Sequence, residues 1–113
     1  MCKRYSKDYY DMMKKYQKKL NKISKETTPW DYGHIEKFVV TSLEFMREYY
    51  NNGENVHGLD NPKDPKRIAI LRELIMLWRR YIYFDAKHNY ELAEKYYKDF
   101  WTKLGENLHY LWD

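Results

Sequence analysis

YELAEKYYKDFWTKLGENLHYLW, residues 90–112, sets its large apolar side chains at intervals of three and four. Tyr90, Ala93, Tyr97, Phe100, Trp101, Leu104, Leu108, Leu111 and Trp112 fall on one stripe, and the charged residues fall on the other side. That period is helical, and it buries one face against a neighbour. Gly105 interrupts it at a cost of about 1 kcal/mol relative to alanine, so it is expected to admit a closely packed helix. The helix is expected over 90–112, opening near Asn89.

Working back from it, "DAKHNY" is a break, and before it residues 65–87 form a second helix that opens on the Asp-Pro of "DPK". Ile68, Leu71, Leu74, Ile75, Trp78 and Ile82 form its face, widened by Ile70, Leu77, Tyr81 and Phe84. The long break "NNGENVHGLDNPKDPK" separates this helix from one over 29–51. There "TPWD" supplies Thr28 as N-cap, Pro29 at the first helical position and Asp31 at the positive end of the dipole, and Gly53 supplies the stop. Its stripe is Ile35, Phe38, Val39, Ser42, Phe45, Met46, Tyr49 and Tyr50, which leaves Glu36, Glu44 and Glu48 facing outward. A first helix over 6–24 carries Tyr9, Met12, Met13, Tyr16, Leu20 and Ile23 opposite a lysine face. No period-2 alternation appears. The expected fold is all-α, a four-helix antiparallel bundle-like single domain.

With 113 residues the chain can bury one core without staples, and Cys2 as its one cysteine leaves no internal disulfide or thiolate cluster. No apolar run nears the roughly 20 residues of a bilayer span, because Arg79 and Arg80 interrupt the best candidate, and "MCKRYSKDYY" has no apolar signal core. No membrane association and a cytoplasmic location are therefore expected. Charge is uneven: residues 1–25 hold nine Lys/Arg against Asp8 and Asp11, a net of +7, while 26–113 are mildly acidic. This basic arm is either a solvated face or a weak, sequence-blind nucleic-acid contact with interleaved tyrosines Tyr5, Tyr9, Tyr10 and Tyr16.

Candidate chemistry concentrates in the third helix. Arg72, Met76, Arg79 and Tyr83 are separated by four, three and four residues, so they share one line at the rim of its apolar face. Two guanidinium forks and a phenol suit a phosphate with an adjacent base to stack, with Lys87 and His57 as closing elements. The alternative is that the arginines lay their stems on the core and pair with nearby carboxylates. Arg80 points near Glu73. The loop around Glu54, His57, Asp60 and Asp64 matches neither the EF-hand pattern nor a zinc motif, so no metal is expected. "ENLH" and "DAKH" resemble di-iron fragments, but Glu106 and His109 lie on the polar side of their helix. Ser24 and Ser42 lack His and carboxylate company, and there is no phosphate-binding glycine loop. Neither catalytic residues nor a cofactor is expected. Leu92 and Tyr110 share a direction opposite the core stripe, which points to a homo-oligomer.

The stretches WDYGHIEKFVV (30–40) and MREYYNNGENVHG (46–58), the arginine-bearing helix and the ending ENLHYLWD (106–113) resemble small, uncharacterised helical accessory proteins of tailed bacteriophages. Such relatives often close on Trp-Trp-Asp, whereas here Leu111 precedes Trp112 and Asp113. The resemblance covers about three quarters of the chain and brings no catalytic residues. It implies an accessory phage protein made in the cytoplasm of a bacterial host. By analogy of context, such a protein works by binding: it sequesters an anionic nucleotide immune signal or inhibits a host defence protein.

Overall fold

The computed structural model describes residues 7–26, 32–52 and 65–112. Four helices account for them: α1 (Lys7–Glu26), α2 (Tyr32–Asn52), α3 (Pro65–Ala86) and α4 (Tyr90–Trp112). The all-α, bundle-like class read from the periodicity is the observed one, and among the described residues there is no strand. The expected caps Thr28, Pro29, Asp31, Gly53 and Asp64 lie outside the described residues, as do Cys2, Tyr5 and the loop bearing Glu54, His57 and Asp60. The chain groups into two compact units, Met1–Pro65 and Lys66–Asp113.

In the first unit α1 and α2 run antiparallel. Tyr9 meets Tyr49 at 6.1 Å between ring centres, and one turn or two further on Tyr16 meets Phe45 at 5.4 Å. Met12 and Tyr16 are buried, with Tyr9, Phe45 and Tyr49 packed around them. Burying a methionine side chain stabilises the fold by about 1.5–3 kcal/mol. The lysines fall on the exposed side, as their spacing requires.

α2 departs from its expected stripe. Leu43, which that stripe omitted, is fully buried, and Glu36, expected to face water, is only 9% exposed, whereas Ile35 is exposed. Glu36 and Leu43 are seven residues apart and so point the same way, well around the helix from Phe45. α2 is at least half covered around most of its circumference, and only Tyr32, Ile35, Lys37 and Asn51 are exposed among its described side chains. A single-stripe reading fails for a helix covered on more than one side.

In the second unit α3 and α4 also run antiparallel, and the contacts step regularly. Glu73 and Lys103 pair at 2.9 Å, Trp78 lies 5.1 Å from Phe100, Tyr81 lies 4.9 Å from Tyr97, and Phe84 stacks on Tyr96 at 5.6 Å. Leu71, Leu74, Phe100 and Leu111 are fully buried, and Ile68, Ile75, Leu77, Ala93 and Leu104 nearly so. At the far end, the Arg67 Nε–H donates to the Tyr110 carbonyl oxygen at 3.0 Å, which satisfies a last-turn acceptor of α4 and suits the negative end of its dipole.

The corner between these helices is short and fully bonded. His88 adopts φ 60, the left-handed conformation that usually selects glycine at this position. The Asn89 N–H donates to the Phe84 carbonyl and the His88 N–H to the Asp85 carbonyl, the paired bonds of a Schellman motif. Asn89 then caps α4, its Oδ1 accepting from the Leu92 N–H at 3.3 Å.

Three expectations are corrected here. Ile82, Tyr90 and Leu108, assigned to apolar stripes, are exposed. Ile82 and Tyr90 lie in the last turns before and first turn after the corner, where the buried line Ile68–Ile75 has run out. Gly105 is not a point of close approach, because a Cβ there would meet nothing within 4 Å. The Leu92 and Tyr110 pair is partly buried, and the Tyr110 ring carries both the Lys66 ammonium and the Arg67 guanidinium at 4.7 Å.

Candidate functional site

α3 presents Arg72, Met76, Arg79 and Tyr83 along one line, as 3.6 residues per turn demands. The line stands in the exposed sector of the helix rather than at its rim: all four side chains are exposed, Met76 by 40% and Tyr83 by 57%. Arg72 and Arg79 are seven residues apart, about 10 Å along the axis. Lys87, just past the helix end, holds its ammonium 5.8 Å from the Tyr83 ring centre. Arg72, Met76, Arg79, Tyr83 and Lys87 therefore share one side of α3, while His57 lies outside the described residues.

The electrostatic setting distinguishes the two arginines from the other cations of this unit. Lys66 and Arg67 are taken up by Tyr110, Arg80 and Lys95 lie over the Tyr96 ring, Lys98 pairs with Glu94, and Lys103 with Glu73. Glu73, the expected neighbour of Arg80, is thus engaged by Lys103 instead. Among the described residues, Arg72 and Arg79 make no hydrogen bond, ion pair or ring contact. Of the alternative in which they pair with nearby carboxylates, the described residues show no instance.

A second polar cluster, which no sequence motif marks, joins α1 to α2. The Tyr16 hydroxyl donates to Glu48 Oε2 at 2.8 Å, and the Lys15 ammonium donates to the same oxygen at 3.0 Å. Lys15 and Lys19 also lie 4.9 Å from the Tyr16 ring centre. Burial, then the hydrogen bond to Glu48 and its charge, push the Tyr16 phenol far above its ordinary 10.0. Burial acts to raise Glu48 as well. The hydrogen bonds from Lys15 and Tyr16 and the charges of Lys15 and Lys19 outweigh it, and the carboxyl ends below its ordinary 4.5. The i, i+33 spacing of Lys15 and Glu48 has no local signature, so only the pairing of the two helices reveals it.

Among the described residues, two buried polar atoms, Glu36 Oε2 and Trp101 Nε1, have no hydrogen-bond partner. A shallow depression on α4 is lined by Tyr97, Lys98, Trp101 and Thr102, away from the arginine line. Among the described residues no three His, Cys, Asp or Glu side chains converge as a metal site, and Asp85, His88, Glu106 and His109 are all exposed. His88 Nδ1 is hydrogen-bonded to the Tyr90 hydroxyl at 2.8 Å. No described helix is long and apolar enough to cross a membrane. Compared with models of protein families, with curated proteins and with solved structures, the chain matches none.

Proposed function

We propose that this chain is a non-enzymatic binding protein that sequesters an anionic, nucleotide-type ligand along α3, with Arg72 and Arg79 gripping phosphate and Tyr83 stacking on a base. Met76 supplies the apolar floor between the arginines, and Lys87 closes the end of the line. In the setting suggested by the phage resemblance, the ligand is an immune signal of a bacterial host and the protein acts in that host's cytoplasm as an anti-defence factor, working as a homo-oligomer. The observation that carries the reading is the contrast among cations. The other described Lys and Arg side chains from Lys66 to Lys103 each have a carboxylate, carbonyl or ring partner, while Arg72 and Arg79 have none among the described residues. Unpaired guanidinium forks on a helix surface are free to bind phosphate in bidentate geometry.

Calorimetry of the purified protein against cyclic dinucleotides and ADP-ribose derivatives tests this, together with mass spectrometry of what it releases on denaturation. Heat is expected with at least one of them. Replacing Arg72 or Arg79 by alanine should weaken that binding by about 10- to 150-fold, the value of a hydrogen bond to a charged group. No heat with any of the panel and no released ligand would retire the proposal. One observation favours a protein-binding reading instead: Ile82, Tyr83 and Tyr90 are exposed around the α3–α4 corner. A host defence factor held there would be released by Ile82→Asp and indifferent to Arg72→Ala.

A further inference from the structure

α1 carries seven lysines, and the structure divides them into two sets. Lys15 is bonded to Glu48, Lys19 lies over Tyr16, and Lys22 approaches Glu26 at 3.9 Å. Lys7, Lys14, Lys18 and Lys25 are exposed, and among the described residues they make no ion pair, hydrogen bond or ring contact. At 100° per residue these four fall within about 20° of a single direction, so they form a straight ridge along the outer side of α1. The ridge spans 18 residues, about 27 Å, which is roughly eight base pairs of duplex at about 3.4 Å each. Asp11 is the one described carboxylate near it.

We infer that this ridge is a docking surface for the phosphate backbone of a nucleic-acid duplex, a contact independent of the arginine line on α3. Charge complementarity carries it: four ammonium groups in register face outward, and none of them pairs with a carboxylate among the described residues. The chemistry of the rest of α1 selects among polyanions. Its apolar side is consumed, with Met12 and Tyr16 buried against Phe45 and Tyr49, so α1 has no free face to sink into lipid as an interfacial helix does. Among the described residues one exposed ring, Tyr10, flanks the ridge a turn from Lys7 and Lys14, and it packs edge-on against Tyr9; a single ring gives successive unpaired bases no row of platforms, which disfavours single strands. Lysines without a rigid fork read charge and not base identity, so the contact is sequence-blind.

The test is fluorescence anisotropy of the full chain with a labelled 20-base-pair DNA duplex of mixed sequence, titrated between 50 and 200 mM KCl. Four phosphate contacts predict a slope of about −3.6 in log affinity against log salt, or roughly a 150-fold loss over that range. Lys14→Gln with Lys18→Gln should halve the slope, and Lys7→Gln with Lys25→Gln should do the same. Lys37→Gln, on the exposed side of α2, should leave it unchanged. All these side chains are exposed, so helicity by circular dichroism should persist. Absence of binding at 50 mM KCl overturns the inference, as does a slope indifferent to both double variants. Lysine-dependent binding to phosphatidylserine vesicles without duplex binding would overturn it too, and would assign the ridge to a membrane surface.

Discussion

The two helix pairs are held by different physics. Among the described residues, α3 and α4 contribute nine buried apolar side chains, from Ile68 to Leu111, and a continuous run of ring contacts through Trp78, Tyr81, Tyr97, Phe100 and Trp101. α1 and α2 contribute Met12, Tyr16 and Leu43, and one of those three is a phenol bonded to a carboxylate. Apolar burial is indifferent to protonation, whereas a bond from Tyr16 to Glu48 depends on it. One pair should therefore be robust to pH and the other should not.

The apolar pair should suffer most from a core truncation. Phe100→Ala should cost about 4 kcal/mol in urea unfolding, the usual range for a fully buried phenylalanine. A smaller loss for Phe100→Ala than for Met12→Ala would reverse the ranking of the two pairs. Next comes the polar cluster. Tyr16→Phe should cost about 1.5 kcal/mol at neutral pH, since it removes a hydrogen bond to a charged acceptor.

Its pH profile sharpens the contrast. Glu48 is lowered on folding, so its contribution is present above about 4.5 and is lost as pH falls through the folded value. Tyr16 is raised, so its contribution is present below about 10.0 and is lost as pH rises toward the folded value. The loss on the alkaline side should be shallower in Tyr16→Phe, and amide exchange measured across pH should place both losses in α1 and α2. Protection in α3 and α4 that fell in parallel at both extremes would break the distinction. The smallest effect is a gain. Gly105→Ala should stabilise by about 1 kcal/mol in the same assay, because the added methyl meets open space and a helix interior favours alanine.

Legibility in the sequence followed the same division. The bounds of α3 and α4 could be read to within a residue, because Pro65 sits at a first helical position and Asn89 is a capping residue whose side chain does cap. α1 ran two residues past Ser24, where the sequence offers no glycine stop. α2 was misread in its facing: Glu36 looks like a solvent residue, and nothing local announces that it is buried with Leu43. The candidate line on α3 was visible as spacing alone. That its two arginines have no partner among the described residues was not, because this depends on which groups α4 engages: Tyr96 faces Arg80 and Lys95, and Lys103 takes Glu73. The bond between Tyr16 and Glu48 was equally hidden, since residues 32 apart meet only once two helices have paired.

The corner at His88 has a consequence for phase. Between Phe84 and Ala93 the backbone bonds of the stop and the start follow one another without a spare residue. One added residue in the first turn of α4, after the Asn89 cap, would wind everything downstream about 100° around the axis. Tyr97 and Phe100 would then swing away from Trp78 and Tyr81, and Tyr96 and Asp99 would take their places. The three-residue joint is therefore a timing mark that tells the final helix which of its sides to hide.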